Sequence, residues 1–410
     1  MVSIKSNVKY YPWQIDLMKG IFTNPKNTIH VVKSSRQKGK SVVAESIILK
    51  FAIDKAHTFS IYISPTLKQS RKVFKEVKNA VEGSSAFFKA NESLLEIMFR
   101  NGSTIQFLSA EQKDGLRGYT VSGILVLDES AFISDEIFNL LLPLCDANKA
   151  PILIISTPLY RTGFFYDFFM DGLERTNEQV FSYDWSSYDT SDILSPERLE
   201  FYRQRMPKDK FLNEYLGLFT DLGTGIFGDV KDIINNQPRT DLKCYMGIDW
   251  GSGTNNDETS ITIFNSEKQM VYIEGFNDMD ETQTIDHIIN IIKKYNPAKV
   301  SVELNSIGRI FYGLLSKRLN ELHLSTSIKG FNTTNDSKRK IVENFQVAIQ
   351  NKECTILNDE KLLLQMSQFE SKLTGVGKVT YAASKNNHDD RVMSTLIAFD
   401  TLNSGSYAVL

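Results

Sequence analysis

The stretch Ile29–Lys50 constrains this chain more than any other. It reads Ile-His-Val-Val-Lys-Ser-Ser-Arg-Gln-Lys-Gly-Lys-Ser, then Val-Val-Ala-Glu-Ser-Ile-Ile-Leu-Lys. A short apolar strand therefore runs into a loop of small and basic residues and on into an amphipathic helix. In that order, successive backbone N–H groups and the positive end of the helix make a concave anion site. Lys40 is placed to reach β- and γ-phosphates, and the Ser41 hydroxyl to ligate Mg²⁺. Ser34 stands where the usual pattern has its first glycine, so the signal rests on Gly39-Lys40-Ser41. A bare Gly-Lys-Ser is common in loops, and the decision falls to partners farther along the chain.

A chain of 410 residues is long for one core, so two domains are expected. Forty-seven basic residues against 49 acidic ones give a net charge of −2, which excludes a polycation and leaves room for a local basic track. Cys145, Cys244 and Cys354 are far apart and suggest neither a disulfide framework nor zinc. No secretory h-region opens the chain and no uncharged run is long enough for a bilayer, so a soluble protein of reducing cytoplasm is expected.

Ahead of the loop, Tyr10-Tyr-Pro-Trp-Gln opens a helix in which Gln14 is a candidate reader of an adenine edge. Phe59–Ser64 reads as a strand and Lys68–Val81 as a helix. Leu95–Leu108 reads as a hairpin, with Asn101-Gly102 expected to supply the two positive-φ positions of a type I′ turn. Glycines on both sides of Arg117 describe a loop presenting a guanidinium. Gly123-Ile-Leu-Val-Leu-Asp-Glu is a buried strand that delivers two carboxylates at its C-terminal end, where ligands bind in α/β sheets. Asp128 would hold the Mg²⁺ water shell, and Glu129 would polarise the water that attacks a γ-phosphate. Taken alone, the same residues could be a strand and an acidic helix cap; beside Gly39-Lys40-Ser41 that reading is the weaker one. A further strand, Pro151–Ile155, ends in Ser156 and Thr157, where a γ-phosphate sensor belongs. The expected fold is a P-loop ATPase of mostly parallel sheet over residues 1–220, with a helical, aromatic-rich lid over 164–220. Glycines and polar residues over 221–242 predict a linker or hinge.

From 243 to 410 the chain reads as a ribonuclease-H-like domain. A strand ends in Asp249, Asp257 lies across the following glycine loop, another strand ends near Glu303, and Asp389 and Asp390 open a late helix. Hard divalent ions prefer carboxylate oxygen. A pair of them can activate water and stabilise the leaving oxygen in phosphodiester hydrolysis. Each acid singly could cap a helix or sit in a turn. Actin-like and sugar-kinase ATPases begin with a strand and turn like Gly247-Ile-Asp-Trp-Gly-Ser-Gly, but their later glycine-rich segment is missing, which favours a nuclease.

In this order the motifs resemble the large subunit of tailed-phage terminases along almost the whole chain. Ser35-Arg-Gln-Lys-Gly-Lys-Ser resembles that family's deviant phosphate loop, so Ser35, Arg36, Gln37, Lys38, Gly39, Lys40 and Ser41 become nucleotide ligands by resemblance. Asp128-Glu-Ser-Ala-Phe-Ile resembles its Walker B segment, Ser156-Thr-Pro its coupling motif, and Gln14 falls at its adenine position. Asp249, Val302-Glu-Leu-Asn-Ser-Ile-Gly and His388-Asp-Asp-Arg-Val-Met-Ser resemble its nuclease motifs. The resemblance implies ATP and Mg²⁺ as cofactors, with Mn²⁺ as a substitute in the nuclease site. It also implies an arginine finger, either Arg117 in trans or Arg36 in cis. The implied partners are double-stranded DNA, the portal of a procapsid, a small terminase subunit and further copies in a ring, a pentamer. The implied place is the host cytoplasm and, transiently, the portal vertex, outside the mature virion and away from membranes. Two other readings compete: a helicase-like repair ATPase fused to a nuclease, and a portal-docking module whose nuclease is silent.

Overall fold

The computed structural model describes residues 9–24, 26–116, 118–186, 194–221, 225–251, 257–305, 307–374, 379–384 and 387–405. The chain divides into two compact units: Met1–Glu200 with Asp209–Leu222 and Leu373–Val379, and Phe201–Lys208 with Gly223–Lys372 and Thr380–Leu410.

The first unit is built on an eight-stranded sheet. Its strands are β1 (Ile29–Lys33), β2 (Phe59–Ser64), β3 (Phe87–Asn91), β4 (Glu96–Phe99), β5 (Thr104–Ser109), β6 (Leu125–Asp128), β7 (Ile152–Ser156) and β8 (Val180–Asp184). They lie in the order β3-β4-β5-β2-β6-β7-β1-β8. The six strands from β5 to β8 pair in parallel, and β4 and β3 add an antiparallel edge. β6 and β7 are buried along their whole length, as continuous apolar runs in a parallel sheet covered on both faces should be. One face packs on the helices Pro12–Thr23, Lys40–Asp54 and Leu67–Val81; the other covers Ile137, Phe138, Phe164 and Phe169.

Two local expectations are corrected. The hairpin turn is not type I′: Gly102 alone has positive φ (81°), Gly102 N–H donates to Phe99 O at 3.0 Å, and Ser103 O accepts Phe99 N–H at 2.9 Å. This is a three-residue loop with glycine at its left-handed position. Asn101 is needed elsewhere: its amide donates to Ala52 O at 2.9 Å and its Oδ1 accepts Ser103 N–H at 3.0 Å. The 164–220 region is not wholly helical. After the helix Phe164–Glu174, β8 joins the sheet beside β1, where Phe181 and Tyr183 stack on His30 at 5.1 and 6.0 Å.

The second unit holds β9 (Cys244–Asp249), β10 (Thr259–Asn265), β11 (Met270–Phe276), β12 (Lys299–Glu303) and β13 (Ser327–Phe331) in the order β11-β10-β9-β12-β13. The first three form an antiparallel meander; β12 and β13 continue in parallel from β9. A separate two-stranded ribbon, β14 (Phe369–Leu373) and β15 (Val379–Ala383), follows. Residues 225–242, read from the sequence as linker, pack into this unit: Phe227 and Ile233 are buried, and Phe227 stacks on Phe369 at 5.6 Å.

The helix Asp390–Gly405 lies against β9, and Gly247 makes that approach possible. A Cβ there would sit 2.3 Å from Ala398 N and 2.5 Å from Ser394 O. Side chains alternate along a strand, so Gly247 and Asp249 share a face. The contact that admits the helix therefore also brings its acidic N-terminus to Asp249. Among the described residues, no helix is long and apolar enough to cross a membrane.

Candidate functional sites

The first site lies at the C-terminal ends of β1, β6 and β7, adjacent strands of the first sheet. Gly39 caps the helix Lys40–Asp54 with φ 75°, a left-handed conformation that glycine adopts without a steric penalty. Lys40 follows and is buried; its Nζ donates to Thr157 Oγ1 at 2.9 Å and to Ser35 O at 3.1 Å. Burial pushes the Lys40 ammonium below the usual lysine range, against the pull of Glu129 and Asp128. Ser41 Oγ donates to Asp128 Oδ2 at 3.1 Å, and the fully buried Tyr62 hydroxyl donates to the same oxygen at 2.7 Å. Burial raises the Asp128 carboxyl, while Tyr62 and then Lys40 hold it down.

Glu129 has φ 50°, a left-handed backbone uncommon for a non-glycine residue and frequent where side chains are aimed at ligands. Its carboxyl is raised by burial and by Asp128 and lowered by Lys40 and the Thr157 backbone N–H. Ser156 Oγ lies 3.4 Å from Glu129 Oε2, which ties the end of β7 to the acid after β6.

The remaining loop residues divide by exposure. Ser35 and Lys38 are buried, and the Lys38 ammonium lies 5.9 Å from the Trp13 ring centroid. Gln37 is exposed, with φ 64°. The exposed guanidinium of Arg36 pairs with Glu214 at 2.7 Å. Gln14 is 2% exposed and has both amide ends on protein: Oε1 accepts Tyr11 N–H at 2.8 Å and Nε2 donates to Gly39 O at 3.0 Å. It braces the phosphate loop through its bond to Gly39 O. Arg117 lies outside the described residues. Sequence reading missed Tyr62, the one phenol in the strand Phe59–Ser64, where Ser60 and Ser64 are also hydroxyl residues. It also missed Lys33, buried at the end of β1 and paired with Asp184 at 2.9 Å.

The second site gathers acids from three elements. Asp249 ends β9, Glu303 ends β12 and Asp390 begins the helix Asp390–Gly405. Asp249 is raised well above the carboxylate range by burial, then by a hydrogen bond and the charge of Glu303, then by Asp389 and Asp390. Asp390 is pushed up to about 7 by burial, against the Glu258 N–H that donates to its Oδ2 at 3.1 Å. Ligand atoms of Asp257, His388 and Asp390 all lie within 4.8 Å of one another. His388 is the ligand-type residue that the sequence reading quoted in a motif but left without a role. Asp389 is turned to Lys338, Nζ to Oδ2 2.8 Å. Carboxylate oxygens with one imidazole are a donor set suited to a divalent cation. The sites thus define the class: a P-loop ATPase joined to a ribonuclease-H-like, metal-dependent nuclease.

Comparison with known proteins narrows the class. A family model described as terminase large subunit, T4likevirus-type, N-terminal, matches residues 32–230. A second, terminase bacteriophage T7, ribonuclease H-like domain, matches residues 248–357. The large terminase subunit of Thermus virus P23-45 is 24% identical over 89% of this chain and 82% of its own length. That of Thermus phage G20c is 23% identical over the same shares. The fold is similar to that of the large terminase of a thermophilic bacteriophage, with a TM-score of 0.60 at 15% identity over 96% of this chain and 100% of that one. The same phage protein in complex with ADP gives 0.57 at 15% identity over 95% and 98%. The chain belongs to the large-subunit family of tailed-phage terminases, enzymes that couple ATP-driven DNA translocation to DNA cleavage.

Proposed function

We propose that this chain drives double-stranded viral DNA into a procapsid with ATP and cuts concatemeric DNA at its second site. The loop amides and Lys40 hold the triphosphate, and Thr157 reads the γ-phosphate through its hydrogen bond to Lys40. Glu129 orients and deprotonates the attacking water; its raised affinity for a proton suits a general base. Ser41 and Asp128 would hold Mg²⁺ there, and Asp249, Glu303, Asp257, His388 and Asp390 would hold Mg²⁺ or Mn²⁺ at the nuclease. Such ions supply charge neutralisation on phosphate oxygens and a lowered pKa for water. Arg36, held by Glu214, and Arg117 are the alternative arginine fingers, the first within the same chain and the second donated to a neighbouring copy. The working assembly is a pentameric ring at the portal vertex in the host cytoplasm, fed by a small terminase subunit and absent from the mature virion. DNA is gripped through its phosphates, so binding falls steeply with salt.

The observation that carries this reading is the convergence of Asp249, Glu303, Asp257, His388 and Asp390, in a chain whose other unit holds Lys40 against Thr157 and Ser41 against Asp128. Supercoiled plasmid incubated with the protein and Mn²⁺ should be nicked and linearised, and ATP turnover should rise with added duplex DNA. Intact plasmid together with DNA-independent turnover would refute the reading, and separation of the strands would favour a helicase.

A further inference from the structure

Asp389 and Asp390 are neighbours in sequence, yet the fold sends their carboxylates to different partners. Asp390 joins Asp257 and His388 and accepts the Glu258 N–H. Asp389 meets Lys338, which comes from the first turn of the helix Asn335–Gln350. The pair is largely out of solvent, with side chains 18% and 26% exposed. The ammonium also lies 5.3 Å from the ring centroid of Phe369, which is fully buried. A cation in the first helical turn opposes the helix dipole. Its placement there is offset by a carboxylate, and the carboxylate it meets is one that acts electrostatically on Asp249. Removing one partner of such a half-buried pair leaves the other charge uncompensated.

We propose that Lys338 is a positioning residue of the nuclease centre: its ammonium holds Asp389 aside, so that the divalent cation is taken by Asp390 with Asp257 and His388. This rests on the nuclease reading above. Without the ammonium, Asp389 becomes an extra negative ligand beside the cation. The cation then binds more tightly and is drawn away from Asp390, and cleavage slows. Local structural damage would instead weaken binding and cleavage together.

The test uses the full chain, free of nucleotide, with Mn²⁺ alone as probe. Binding is followed by calorimetry and by the electron paramagnetic resonance of free Mn²⁺, cleavage on supercoiled plasmid at saturating Mn²⁺, and folding by thermal melting. Lys338→Met should bind Mn²⁺ about tenfold more tightly, as loss of a nearby unit charge predicts, while its saturated cleavage rate falls by a similar factor. Lys338→Arg should restore both. Asp389→Asn should keep Mn²⁺ binding, and Asp390→Asn should lose it. The proposal is overturned if folded Lys338→Met binds Mn²⁺ no more tightly than the parent, or if Asp389→Asn loses binding as fully as Asp390→Asn. A parent protein that neither binds Mn²⁺ nor cuts plasmid would overturn the nuclease reading itself, and this inference with it.

Discussion

The two active centres solve opposite electrostatic problems. Around the phosphate loop, cation and anions are interleaved: Lys40 lies between Thr157 Oγ1 and Ser35 O while Asp128 and Glu129 act on it, and Asp128 takes two hydroxyl donors. That centre carries its own counter-charges and is organised before a triphosphate arrives. In the nuclease centre Asp249 meets Glu303 and Asp390 meets Asp257, and burial with the charge of neighbouring acids drives Asp249 and Asp390 toward their neutral forms. Four acids so arranged are completed only by added positive charge. The difference teaches that the first centre presents a cation together with its counter-charges, whereas the second collects carboxyls whose ionised forms call for added positive charge.

The sharpest way to break that contrast is a pair of single substitutions. Lys40→Ala should abolish ATP turnover and leave Mn²⁺-dependent plasmid cutting, whereas Asp249→Asn should abolish cutting and leave turnover; loss of both activities in either variant would mean that the centres are not separable. Glu129→Gln tests the organised character of the first centre. Turnover should fall by about 10²–10⁴, the usual contribution of a general base, with nucleotide affinity retained in an equilibrium binding assay.

Proton competition tests the second centre. Asp390 moves from 3.8 to about 7 on folding, and a cation must displace that proton. Mn²⁺ affinity should therefore fall by about tenfold per unit as pH drops below 7. In metal-free protein the sign for stability is reversed: between about 4 and 7 the folded state holds more protons than the unfolded one, so stability declines as pH rises through that window. Asp390→Asn should flatten the slope in thermal melts. The smallest effect concerns the scaffold. Gly247→Ala forces a methyl against the backbone of Ser394 and Ala398 and should cost about 1–3 kcal/mol, read as a lower melting temperature with ATP turnover unchanged.

What was legible followed the range of the interactions. Gly39-Lys40-Ser41 and Asp128-Glu129 stand at strand ends, and a strand–loop–helix signature fixes where such ends point. Asp249, Glu303 and Asp390 could be named because each begins or ends an element with a clear pattern. β8 was not legible, since its few aromatic residues are stabilised as a strand only by β1 alongside. The hairpin turn was misassigned because Asn101 spends its amide on Ala52 and Ile53, far away in sequence. Gln14 reads as a polar residue free to meet a base; that it also ties one N–H to Gly39 O and one oxygen lone pair to Tyr11 N–H was not legible, because Gly39 lies far along the chain.

By itself the sequence determined the two fold types and the order of the strand ends that carry charge, because hydrophobic periodicity and turn chemistry act within a few residues. Only the tertiary structure decided which charges meet: Tyr62 with Asp128, Lys33 with Asp184, His388 with Asp257 and Asp390, Lys338 with Asp389. Those pairings join residues from separate elements, and electrostatic energy depends on distance and burial, neither of which is written in the spacing along a chain.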